Sequence, residues 1–133
     1  MDTGAAVTYE TYSNTSKTIT PNTTVRSDRK YYNTSTYVSF DAPENIASNT
    51  TSAGSIDMTI GYTDILGTQS FTSLATASIP WSGTLDTLKT TTVTWTPSSF
   101  TLPAKKILGL KVVNNLTITG NGSCYIAVEV RYE

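Results

Sequence analysis

Six of the eight asparagines in this chain stand in Asn-x-Ser/Thr triplets, at Asn14, Asn22, Asn33, Asn49, Asn115 and Asn121. That triplet is the acceptor for N-linked glycosylation, and it belongs to surface loops of proteins exposed to the outside. With Ser and Thr making up about a third of the residues, chance yields roughly two or three such triplets, so the excess points to a glycoprotein. Thr-rich loops also write the triplet freely, and in that case it carries no chemistry. Asn121, at a hairpin tip, and Asn49, in a long loop, are the acceptors expected to be modified first.

A second group is Arg26-Ser27-Asp28-Arg29-Lys30-Tyr31-Tyr32, which sets three cations beside two tyrosines. Arg26, Arg29 and Lys30 are suited to phosphate, and the tyrosines to stacking on bases. An isolated trio of cations has little affinity at physiological salt, and solvated loop charges explain it equally well. No nucleic-acid partner is therefore assigned. Trp81, Tyr31 and Tyr32 are candidate platforms for sugar rings, Trp81 foremost because it adjoins Pro80 and Gly83 in an expected loop. Trp95 alternates with Val93 and is expected in the core instead.

The run Asp41-Ala42-Pro43-Glu44-Asn45 collects oxygen ligands but lacks the alternating carboxylate spacing of a calcium cage, so no metal is assigned. There is no histidine and a single cysteine, and the ten acidic residues are scattered. Neither a Ser-His-Asp nor a Cys-His arrangement can be built from such a chain. The expectation is a protein with no catalytic residues, no cofactor and no small-molecule substrate. Cys124 has no partner for an internal disulfide, and its place in an apolar alternation makes it a small buried side chain.

The elements that would hold these groups are strands. Helical periodicity is not sustained anywhere, while β-branched residues alternate with polar ones between Gly, Asn and Pro punctuation. In Ile56–Tyr62, the residues Ile56, Met58, Ile60 and Tyr62 share one face and Asp57 and Thr59 the other. In Cys124–Tyr132, Cys124, Ile126, Val128, Val130 and Tyr132 point inward while Glu129 and Arg131 point out. Further strands are expected at Val7–Tyr12, Lys17–Thr20, Thr23–Arg26, Thr36–Phe40, Ser70–Ile79, Thr90–Trp95, Leu108–Val113 and Leu116–Thr119. The Asn121-Gly122 turn predicts that Leu116–Thr119 pairs with the C-terminal strand as a hairpin. Asp41–Gly54 and Trp81–Thr84 read as loops, and all five prolines are expected between strands.

A chain of 133 residues with 14% charged residues and a net charge of −1 fits one domain and offers no field for nucleic acid. Low net charge permits self-association. The N-terminus shows no secretory signal, no apolar run is long enough to span a bilayer, and residues 1–5 are expected to form a free arm before a single domain over 6–133. The fold class is all-β, a two-sheet antiparallel sandwich of about eight strands, with a jelly roll favoured over an immunoglobulin-like topology.

As a whole the chain resembles the small single jelly-roll coat proteins of icosahedral viruses, those of archaeal viruses included. The resemblance rests on strand number, on Thr-rich wet faces such as Thr90-Thr91-Thr92-Val93-Thr94, on the Asp41–Gly54 connection and on the terminal strand Cys124–Tyr132. It implies a virion structural protein, a capsid or capsid-surface subunit that self-assembles with its own copies or with other subunits. Two alternatives stand beside it. One is a filament or surface-layer subunit at a cell surface, with Ala6–Tyr12 donated to a neighbour's sheet; the other is a carbohydrate-binding module.

Overall fold

The residues that alternate in the sequence pair across two sheets. A computed structural model describes residues 5–26, 34, 36–44, 51–64, 71–84, 90–115, 117–118 and 124–133. Its strands are β1 (Ala5–Tyr12), β2 (Lys17–Pro21), β3 (Thr24–Arg26), β4 (Tyr37–Glu44), β5 (Thr51–Asp64) and β6 (Thr72–Thr84). They continue as β7 (Thr90–Thr92), β8 (Phe100–Leu102), β9 (Lys106–Asn114), β10 (Thr117–Ile118) and β11 (Cys124–Tyr132). No helix occurs among the described residues, so none is long and apolar enough to cross a membrane.

In the first sheet β9 lies between β1 and β5, and β6 covers the far side of β5. β10 continues the line of β9 along the same edge of β5, because Thr117↔Ala53 follows Asn114↔Ile56 in one register. In the second sheet β11 is flanked by β4 on one side and by β2 and β3 end to end on the other, with β8 and β7 outside those two. Every pairing is antiparallel, and the chain changes sheet after β1, β4, β6, β8 and β10. The result is a two-layer antiparallel sandwich.

The inner faces meet in one core. Ile56, Met58 and Ile60 of β5, Leu108, Leu110 and Val112 of β9, and Ile126, Val128 and Val130 of β11 are all buried, with Ile19, Phe40, Ile79, Leu102 and Trp95 among them. Ala75 and Ala77 keep β6 close to the opposite sheet. At the open sides the sheets also approach each other. β1 lies against β4, and on the far side Thr76 of β6 exchanges backbone hydrogen bonds with Thr96, at 3.0 and 2.9 Å.

Several expectations are corrected. Leu116–Thr119 does not form a hairpin with the C-terminal strand. Thr117 and Ile118 pair with β5 in the other sheet, because only Asn115 and Leu116 separate β10 from β9 and the chain stays on the same line. The Asp41–Gly54 connection shrinks to residues 45–50, since β4 runs to Glu44 and β5 begins at Thr51. Small residues such as Ser52, Ala53 and Gly54 have weak strand preference, but β6 on one side and β10 on the other hold them extended. Gly54 sits there at φ 127, a conformation that side chains resist. Trp81–Thr84 is likewise strand, the end of β6. Thr90–Trp95 is strand only as far as Thr92, and β8 was not expected.

Three of the prolines lie inside strands: Pro21, Pro43 and Pro80. Each occupies a position whose missing N–H would point away from a ladder. Thr76 directs its backbone outward to Thr96, so Pro80, four residues on with no register shift between them, also faces the free edge of β6. Tyr132 N–H donates to Thr36 O, which places Pro43 on the outer side of β4, the edge strand. Pro21 lies two residues beyond the β2–β8 ladder, which ends at Ile19↔Phe100. Edge and strand-end positions lose no bond to proline.

Candidate functional site

The sequence motifs separate in space. Asn14 lies in the turn between β1 and β2 and is exposed, its Oδ1 accepting from the Tyr12 hydroxyl at 3.1 Å. Asn22, between β2 and β3, is built into the fold. Its Oδ1 accepts from the Thr24 N–H at 2.9 Å, its Nδ2 donates to Glu129 at 3.4 Å, and its carbonyl accepts from Trp95 Nε1 at 3.2 Å. Asn115 is exposed, and its Nδ2 donates to Asp57 Oδ2. Asn33, Asn49 and Asn121 lie outside the described residues, as do Arg29, Lys30, Tyr31 and Tyr32.

Arg26 closes β3, within the strand expected at Thr23–Arg26, opposite Ala127 on one side and Thr90 on the other. Trp81 leaves its expected loop for β6, where its backbone pairs with Gly54; its side chain is outside the described set. Asp41 and Glu44, read as loop ligands, are residues of β4. Among the described residues no three acidic or sulfur-bearing side chains gather as a metal site would require. Trp95 is in the core at 3% exposure, as its alternation predicts.

What the fold does bring together is a row of hydroxyls that sequence reading did not assemble. On the outer face of the first sheet, Thr59 of β5 stands opposite Thr76 of β6, and Thr76 stands opposite Thr96. Beside this row Asp57 stands opposite Ser78, whose hydroxyl donates to Asp57 Oδ1 at 2.7 Å. With Thr94 these side chains line an open groove of about 360 Å³. Hydrogen bonding from Ser78, then from Asn115 and Ser55, holds the Asp57 carboxyl below its ordinary value against the opposing effect of partial burial. The signal in the sequence was the outward alternation of Asp57 with Thr59 and of Thr94 with Thr96. Their juxtaposition needed the pairing of β6 with both partners.

Elsewhere the charges serve the ends of strands. Lys106 opens β9, pairs with Asp64 at the end of β5 and lies 5.7 Å from the Tyr62 ring centroid. The bond to Asp64 raises its pKa. Lys17 sits 5.7 Å from the ring centroid of Tyr132.

Fold and groove define the class of the molecule: a two-sheet antiparallel β-sandwich with hydroxyl-rich outer faces. Compared with known proteins, the chain matches no family model, no curated protein and no solved structure.

Proposed function

We propose that this chain is a structural subunit that works by association with copies of itself, as a capsid or capsid-surface protein of a virion. The observation that carries the reading is the make-up of the outer faces. Thr18, Thr20, Thr92 and Thr101 are exposed on the second sheet, Thr76 and Ser78 on the first, and Thr94 and Thr96 on the segment that follows β7. Their hydroxyls offer hydrogen bonds to a neighbouring copy without the desolvation cost that ions carry.

Within the sandwich class, the repeated change of sheet along the chain favours the jelly-roll form. A donor-strand filament has less support, because β1 pairs with β9 of its own chain from Ala5 to Tyr12. The test is negative-stain electron microscopy and sedimentation of concentrated, tag-free protein. Closed shells or regular arrays are expected. A monomer that persists at high concentration from low to molar salt overturns the proposal.

A further inference from the structure

The groove on the first sheet has the chemistry of a ligand site. Among the described residues, the side-chain hydroxyls of Thr59, Thr76, Thr94 and Thr96 take no protein partner, although all four line the same opening. Asp57, also in the lining, accepts from Ser78 on one oxygen and from Asn115 on the other, with Ser55 as a further donor, and a carboxylate has about four acceptor sites. We propose that this groove binds a neutral saccharide chain, held by the threonine hydroxyls with Asp57 accepting from its diol groups.

The other ligand classes meet obstacles on the same surface. A peptide strand adds to a sheet edge through backbone donors, but Thr76 has committed its own to Thr96, and Pro80 has none. A phosphate or other anion meets the Asp57 carboxylate. An apolar ligand finds the threonine methyls but not the buried Met58 and Ala77 side chains, and it would leave the hydroxyls unpaired. A divalent cation would find a single carboxylate whose two oxygens already receive Ser78 and Asn115, too few ligands for its shell.

A saccharide fits on each count. Its hydroxyls donate and accept, as threonine does, so every contact can be satisfied in either sense. The groups are also set out on a lattice: neighbouring strands place them about 4.8 Å apart, and alternate residues along a strand about 6.8 Å. A polymer of repeating hydroxyls can meet several at once. The volume of about 360 Å³ is at the small end for ligand sites and suits a short stretch of chain.

The experiment is a titration of isotope-labelled full chain, followed by amide NMR, with cellohexaose, chitohexaose, laminarihexaose, maltohexaose and mannohexaose, and with a heparin hexasaccharide as the anionic comparison. At least one neutral hexasaccharide is expected to shift the amides of residues 57–59, 76–78 and 94–96 at millimolar concentration. A Thr59→Val, Thr76→Val, Thr96→Val variant, which keeps β-branching, should bind roughly tenfold more weakly or worse. If that variant does not fold, Ser78→Ala serves in its place, with weakening of a few fold expected. The proposal is overturned if no neutral hexasaccharide moves those amides at tens of millimolar. It is equally overturned if the shifts map elsewhere, if a folded variant binds like the parent, or if heparin is the better ligand at the groove.

Discussion

Ser78 donates its hydroxyl to Asp57 at 2.7 Å across the β5–β6 pair, and the same carboxylate receives Asn115 from the residue that follows β9. One acid thus ties together three neighbouring stretches of the first sheet on its wet face. A lone Asp in the middle of a strand is otherwise poorly placed, since its side chain competes with the backbone for hydrogen bonds. Here the donors occupy it.

The Asp57 network should show itself as acid sensitivity. Because the folded carboxyl titrates below its ordinary value of 3.8, its contribution is complete above that pH and is lost as pH falls through the depressed folded value. Ser78→Ala removes the largest of the donors and should cost roughly 0.5–1 kcal/mol at neutral pH. Once the pH has fallen through the depressed folded value and Asp57 is protonated, the cost should shrink toward zero. Urea unfolding of parent and variant at neutral and at acid pH measures this, and an equal cost at both would exclude an ionised acceptor.

Trp95 and Asn22 should be costly to change. The indole fills the core at 3% exposure and donates to the Asn22 carbonyl, while the Asn22 side chain holds the jog between β2 and β3 through Thr24. Trp95→Ala is expected to lose about 3–5 kcal/mol, and Asn22→Ala about 1–2 kcal/mol. Denaturant midpoints followed by circular dichroism give both values. A neutral Asn22→Ala would mean that the jog is held by the backbone alone.

Gly61 leaves no room for a side chain. A Cβ there would stand 2.1 Å from the Thr72 carbonyl oxygen and 2.8 Å from the Phe71 ring, beside the register shift between β5 and β6. The first contact is with backbone and cannot be relieved by a rotamer. Gly61→Ala should therefore destabilise by about 3 kcal/mol or more, seen as a large fall in melting temperature or as loss of soluble protein. A variant that melts with the parent would show that β6 can move aside.

Pro80→Thr tests the edge of β6. Proline withholds an outward donor there, a device that hinders unwanted strand pairing. Threonine restores the N–H and suits the strand, so fold stability should change by less than about 1 kcal/mol. Non-specific association at matched concentration, measured by light scattering, should rise. No rise would mean that the edge is protected by something other than Pro80.

Much of this architecture can be read locally. β11 occupies Cys124–Tyr132 as its alternation predicts, with Ile126, Val128 and Val130 buried. Thr92 and Thr94 face water while Val93 and Trp95 face the core, again as their alternation predicts. What could not be read are the features that depend on a distant partner. Thr117 and Ile118 follow β9 into one sheet although an Asn-Gly turn points them to the other. Ser52-Ala53-Gly54 becomes strand only because β6 and β10 flank it. Pro80 looks like a terminator until the side of the strand it faces is known. The groove was illegible for the same reason, since Thr59, Thr76 and Thr96 come from three separate segments.

The order of residue types alone decides that this chain is all β, which side chains are apolar enough to turn inward, and that its wet surface is made of hydroxyls; alternation is a property of neighbours and needs no partner. Which strands pair, in what register, and therefore which hydroxyls share a groove with Asp57, was decided only on folding. Backbone hydrogen bonds are identical at every residue, so it is the burial of Ile56, Met58, Leu110, Val128 and their companions in one core that selects the pairing.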